Sequence, residues 1–104
     1  MDLQELRKKI DEIDDGLLDL FQRRMDVSAE IARYKEENNI PVYDPAREKQ
    51  KLLYLSGKVK EGRKAYIIAL YSLLFEFSRA DQERILSSAS VLIDDVQSAG
   101  LDTQ

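Results

Sequence analysis

The chain has 104 residues and a formal net charge of −4 at pH 7, and it contains no cysteine and no histidine. The acidic balance argues against a general nucleic-acid binder, which needs a cationic surface. Without cysteine or histidine there is no thiolate nucleophile, no imidazole base, no cysteine-ligated zinc and no imidazole metal ligand, so catalysis would have to use carboxylates, cations, amides and hydroxyls.

The first predicted element is a long amphipathic helix over about residues 3–37. Its apolar residues recur every three or four positions without an intervening proline: Leu3, Leu6, Ile10, Ile13, Leu17, Leu20, Val27, Ile31 and Tyr34. At a rise of about 1.5 Å per residue this helix is about 50 Å long, which exceeds the size of a compact 104-residue domain. We therefore expect a second copy of the chain to pack alongside it in a homodimer.

A short helix and a second long helix follow. Asp44 and Pro45 have the residue types of an N-cap and a first helical position, and the helix they begin should end near Ser56. The third helix is predicted from about Arg63 to the high eighties or beyond, and its apolar segment 65–71 should lie deep in the core. The sequence thus predicts a single all-α domain over residues 1–104, with a core over about 3–86 and a tail over about 87–104.

Two cations interrupt the apolar pattern of the first helix. Arg24 occupies the apolar slot between Leu20 and Val27, and Lys35 follows eleven residues later. Eleven residues are three turns plus about 20°, so both side chains project from nearly the same side, as a small dicarboxylate would require. The alternatives are a polar residue that specifies helix register, for Arg24, and a solvated lysine at a helix end.

Two polar residues likewise interrupt the third helix, since Ser78 and Gln82 lie one turn apart on an apolar face. A serine can hydrogen-bond to its own helix, but a buried amide requires partners. Arg7 lies seventeen residues before Arg24, about 25 Å along the axis, so one small ligand cannot reach both in one subunit. If two first helices pair antiparallel, Arg7 of the partner subunit can approach the Arg24 site; otherwise Arg7 is a surface residue.

The second helix opens with Asp44, Arg47 and Glu48, which on their own are a cap and two surface charges. In chain order, however, all these polar residues together resemble the all-α chorismate mutases, which are intertwined helical dimers and include the domain fused to prephenate dehydratase in some bacteria. The pattern is Arg7, Arg24, Lys35, the Asp-x-x-Arg-Glu motif of residues 44–48, Ser78 and Gln82, and it covers about residues 3–86. The departures are Gly16, Tyr43 where a basic residue is often found, and a longer tail.

The resemblance implies the [3,3]-sigmatropic rearrangement of chorismate to prephenate, in phenylalanine and tyrosine biosynthesis, without metal or organic cofactor. It implies that Arg24 and the partner's Arg7 bind the two substrate carboxylates. Arg47 would add positive charge, and Ser78 a hydroxyl contact.

The resemblance also implies which groups act on the reacting atoms. Lys35 and Gln82 would donate hydrogen bonds to the ether oxygen, which becomes more negative as the C–O bond stretches. Glu48, with the backbone of Asp44, would accept or orient the ring hydroxyl.

Two other functions remain open from the sequence. Isochorismate–pyruvate lyases resemble this pattern on the same fold, although the complete pair of Lys35 and Gln82 favours a mutase. A non-catalytic helical dimerisation module would explain the heptads but not Ser78 or Gln82. With no signal peptide and no apolar run long enough to span a membrane, we expect a cytoplasmic enzyme with no membrane or nucleic-acid partner.

Overall fold

The computed structural model describes the backbone of residues 1–102 and the side chains of residues 1–87. The chain forms three α-helices, α1 (Leu3–Glu37), α2 (Pro45–Ser56) and α3 (Lys64–Asp102), with a short 3₁₀ turn at Glu61–Arg63 before α3. This long, short, long order confirms the predicted all-α architecture, and the described part of the chain contains no strand.

Capping residues fix where the first two helices begin. The Asp2 side chain accepts a hydrogen bond from the backbone N–H of Glu5 at 2.8 Å, and the Asp44 side chain accepts one from the N–H of Arg47 at 3.0 Å. Each bond satisfies an N–H that the first helical turn leaves without a partner. Pro45, whose own nitrogen has no hydrogen to satisfy, occupies the first turn of α2.

A left-handed residue ends α1 and redirects the chain. Asn39 has φ 56°, a region that asparagine tolerates better than most residues. The N–H of Ile40 donates to the carbonyl of Lys35 at 2.8 Å, and the N–H of Asn39 donates to the carbonyl of Glu36 at 3.3 Å. These two bonds form a Schellman motif. The linker is thereby turned back past the last turn of α1, and this places Val42 beside Lys35.

Helix α3 packs against both α1 and α2, yet the described side chains form almost no core within the single chain. Among the described side chains, the buried apolar ones are Ala29, Ala32 and Phe75. The radius of gyration is 19.7 Å, with extents of 73 × 33 × 16 Å, whereas a compact domain of this length has a radius of about 13 Å. The molecule is therefore a thin, elongated layer of helices.

The apolar surfaces of α1 and α3 are exposed in this layer. Along α1 the exposed side chains include Leu6, Ile10, Ile13, Leu17, Leu20, Val27 and Ile31. The prediction that segment 65–71 lies deep in the core is wrong for the single chain, because Tyr66 is 74% exposed and Leu70 49% exposed. Among the described residues, α1, α2 and the 3₁₀ turn are the elements that pack against α3, and they leave most of this segment exposed.

None of the helices in the described part of the chain combines the length and the apolar character needed to cross a membrane. The prediction for the tail falls mostly on residues 88–104, whose side chains lie outside the described residues.

Candidate active site

A cavity of about 570 Å³ opens between the second half of α1, the linker, α2 and α3. Its size falls within the range of small-molecule sites, about 300–1,000 Å³. Six of its lining residues are basic and two are acidic, in a chain whose net charge is −4. The basic ones are Arg23, Arg24, Lys35, Arg47, Lys51 and Arg79, and the acidic ones are Asp44 and Glu48. This local excess of positive charge suits an anionic ligand.

Arg24 lies against α3 and makes no ion pair with a described side chain. Its Nη1 donates to Ser78 Oγ at 2.9 Å, and its guanidinium carbon lies 5.7 Å from the centre of the Phe75 ring and 5.9 Å from that of Tyr71. No carboxylate of the described residues lies within 4.0 Å of it. The guanidinium is thus held in place by a hydroxyl and two aromatic rings, and its remaining N–H groups can bind an anion.

Lys35 is half-buried at the end of α1, and its Nζ donates to the carbonyl of Val42 at 3.1 Å. A lysine ammonium has three donors, and this bond uses one of them. Arg24 and Lys35 both line the cavity, which confirms the helical arithmetic that placed them on one side of α1.

Gln82 is buried and crosses from α3 to α1. Its Nε2 donates to Ser28 Oγ at 2.9 Å and to the Ser28 carbonyl at 3.0 Å. These bonds account for a buried amide on an apolar face, and they direct its NH₂ group toward Ser28, which also lines the cavity. No described side chain has a buried nitrogen or oxygen without a hydrogen-bond partner.

Glu48, on the first turn of α2, is paired with a residue that the sequence did not single out. Arg79 Nη1 donates to both Glu48 Oε1 and Oε2 at 2.5 Å. This hydrogen bond is the largest cause that raises the pKa of the Arg79 guanidinium above its ordinary value. Asp44 and Arg47 are exposed at the rim, and Asp44 is the N-cap of α2, as predicted.

Seven of the eight residues proposed from the sequence line this one cavity, and the eighth, Arg7, does not. Sequence reasoning missed Ser28 and Arg79. Ser28 lies one turn after Arg24 and seven residues before Lys35, so it shares their side of the helix. Arg79 lies three residues before Gln82, a spacing that also indicates a shared face.

The chain is similar in sequence to known enzymes. The sequence model of the family described as chorismate mutase type II matches residues 6–83. A chorismate mutase of Methanocaldococcus jannaschii is 33% identical over 90 residues, which are 81% of this chain and 87% of that protein. A bifunctional chorismate mutase/prephenate dehydratase of Aquifex aeolicus is 38% identical over 64 residues, 59% of this chain but only 18% of that longer protein.

A solved structure supports the same assignment. The structure of chorismate mutase (form II) from Thermus thermophilus superimposes with a TM-score of 0.75 at 32% sequence identity, covering 79% of this chain and 94% of the other. Sequence and fold therefore agree over most of the chain, and the sequence match over residues 6–83 includes every residue that lines the cavity. The chain belongs to the type II chorismate mutase family, isomerases that rearrange chorismate to prephenate in aromatic amino acid biosynthesis.

Proposed function

We propose that the cavity between α1, α2 and α3 is where this chain rearranges chorismate to prephenate, as half of a homodimeric enzyme. The observation that supports this most is the convergence of seven residues of the family pattern on one basic cavity. A concerted [3,3] rearrangement breaks a C–O bond as a C–C bond forms, and it needs neither a nucleophile nor an acid–base proton transfer. The site therefore has to hold the compact conformer of the substrate and stabilise charge on the ether oxygen.

Arg24 binds one substrate carboxylate in this proposal. Its guanidinium is preorganised by Ser78 and by the Phe75 and Tyr71 rings, and it lacks a carboxylate partner among the described residues. A planar guanidinium can meet a carboxylate with two parallel hydrogen bonds. Arg47 at the cavity rim adds positive charge near the same anion.

Lys35 and Gln82 donate to the ether oxygen as it becomes more negative. Lys35 uses one of its three N–H donors on Val42, and the other two have no partner among the described residues. Gln82 has both Ser28 acceptors as partners, so we expect it to redirect one N–H from the Ser28 hydroxyl to the substrate. Once substrate binding has turned this N–H, both donors are in place before the C–O bond stretches, so they lower the barrier without reorganising during the reaction.

Glu48 accepts the hydrogen bond of the ring hydroxyl, with the Asp44 backbone beside it. Asp44 is the N-cap of α2 and Glu48 lies on its first turn, and both line the same cavity as the α3 residues Ser78 and Gln82. A carboxylate at this point binds a neutral hydroxyl donor and orients the ring.

The second substrate carboxylate is bound by Arg7 of the partner subunit. Within one chain, Arg7 and Arg24 are separated by seventeen residues of continuous helix, about 25 Å. The exposed apolar stripe of α1 provides a surface along which a second α1 can pack antiparallel. Such contiguous apolar surface on a soluble chain marks an association site, and antiparallel pairing brings each Arg7 toward the other subunit's cavity.

The test is to incubate the purified chain with chorismate, follow substrate loss by absorbance, and identify prephenate by chromatography. Parallel incubation with isochorismate, assayed for salicylate and pyruvate, distinguishes a lyase. We expect prephenate to form, Lys35→Met to lose most turnover, and Lys58→Met, outside the cavity, to retain it. Absence of prephenate from a folded dimer would refute the proposal.

A further inference from the structure

Arg79 lines the cavity but has no role in the proposed reaction, and it forms a cluster with Glu48, which also lines the cavity, and with Tyr43 of the linker. Arg79 of α3 bonds to both carboxylate oxygens of Glu48 on α2, at 2.5 Å, and its guanidinium carbon lies 5.0 Å from the centre of the Tyr43 ring in the linker. The cluster therefore joins three separate elements of the chain around one carboxylate.

The pair is sheltered, since the side chains of Arg79 and Glu48 are 30% and 24% exposed. In contrast, the ion pair of Arg84 with Asp81 connects neighbouring turns of α3, and its arginine is 67% exposed. An ion pair between two helices restrains their relative position, whereas a pair within one helix does not. Arg79 thus holds Glu48 at a fixed place on the cavity wall.

The pairing also changes what Glu48 can bind. An unpaired carboxylate attracts a cationic group strongly, and it repels a dianionic substrate. A carboxylate whose charge is balanced by a guanidinium still has lone pairs that can accept a hydrogen bond from a neutral donor. Its attraction for a cation is much weaker, because the guanidinium repels that cation.

We propose that Arg79 is a positioning and specificity-determining residue, which orients and charge-balances Glu48 so that the site accepts a ring hydroxyl in preference to a ring ammonium. The inference rests on the proposed function, because it assumes that Glu48 faces the ring substituent of the substrate. Tyr43 supports the arrangement by packing its ring against the guanidinium on the side of the linker.

The experiment compares kcat and KM near neutral pH for chorismate and for an analogue whose ring hydroxyl is replaced by a primary amine. The variants are Arg79→Met, Arg79→Lys, Glu48→Gln and the double variant Arg79→Met/Glu48→Gln. Arg84→Met is the matched control, because it removes an arginine from an ion pair on the same helix outside the cavity. Circular dichroism checks folding, and Arg79→Gln replaces the methionine variant if that one does not fold.

We expect Arg79→Met to lower kcat/KM for chorismate about tenfold, on the scale of one charge-assisted hydrogen bond. The specificity ratio, which is kcat/KM for the amine analogue divided by kcat/KM for chorismate, should rise about tenfold. Arg79→Lys should restore most of both values. The double variant should differ from Glu48→Gln less than about twofold in kcat/KM, because the effect of Arg79→Met is transmitted through Glu48. Arg84→Met should match the unaltered chain.

Three results would overturn the inference. An unchanged substrate ratio in Arg79→Met would show that Arg79 does not set specificity. Equal losses with and without Glu48 would show that Arg79 does not act through that carboxylate. Lack of chorismate turnover by the unaltered chain would refute the proposed function and the inference with it. If the unaltered chain turns over chorismate but Arg79→Met leaves the specificity ratio unchanged, the inference alone is refuted.

Discussion

The shared site can be tested by mixing two inactive variants. Arg7→Ala and Arg24→Ala homodimers each carry the same defect in both cavities, so each should have little activity. In a mixed dimer, one cavity combines both defective arginines, and the other combines the intact Arg24 of one chain with the intact Arg7 of the other. Activity should therefore return on mixing.

The expected recovery follows from the geometry of α1. Because about 25 Å of helix separates the two arginines in one chain, a small dicarboxylate can contact both only across two chains. Losing one buried arginine–carboxylate contact costs about 2–5 kcal/mol, so each parent should fall at least about 30-fold. Random pairing of equal amounts makes about half of the dimers mixed, each with one intact cavity of two, so about a quarter of normal activity should return.

The assay is chorismate consumption after the two variants are unfolded together and refolded, with each variant refolded alone as the control. Native mass spectrometry of chains with distinguishable masses confirms that subunits have exchanged. A fully exchanged mixture no more active than its parents would refute a contribution of Arg7 in trans, and with it the shared-site arrangement.

Three further predictions concern single substitutions. Arg24→Ala should lower kcat/KM by about 30-fold or more yet retain its helical circular dichroism, since among the described residues Arg24 has one hydrogen bond, to Ser78, and two aromatic contacts. Loss of the helices would show that Arg24 is a structural residue. Gln82→Glu should be nearly inactive at neutral pH and recover on acidification toward the reference pKa of a glutamate, about 4.3, because only the protonated carboxyl can donate a hydrogen bond. A pH profile as flat as that of the unaltered chain would show that Gln82 does not face the reacting oxygen. Ile13→Asp should yield unfolded or monomeric chain by sedimentation, because it places a charge in the apolar stripe of α1. The control Asp15→Ala, on the opposite side of α1, should remain dimeric, and a dimer unaffected by Ile13→Asp would place the interface elsewhere.

The helices could be predicted closely because their ends are set by local chemistry. Asp44 and Pro45 act within one turn, and Asn39 is a residue type that tolerates the left-handed conformation it adopts. Arg24 and Lys35 could be placed together because the geometry of one straight helix relates them directly.

The contact between Arg79 and Glu48 could not be predicted in this way. Its two residues lie on different helices, 31 positions apart, and an arginine on a helix surface is ordinary. How two helices dock depends on packing between them, which no local pattern specifies. The burial of segment 65–71 was mispredicted for a related reason, since an apolar segment requires a neighbour but does not identify which chain supplies it.

The near absence of an internal core has a consequence for how the protein folds. With only Ala29, Ala32 and Phe75 as buried apolar residues among the described side chains, one chain alone hides too little apolar surface to offset the entropy of ordering three helices. Folding and subunit association should then be a single bimolecular event, so the unfolding midpoint rises with protein concentration and refolding is second order. A newly synthesised chain would have to meet a second one before either becomes an enzyme, and the amount of active enzyme in dilute solution would vary with the square of the chain concentration.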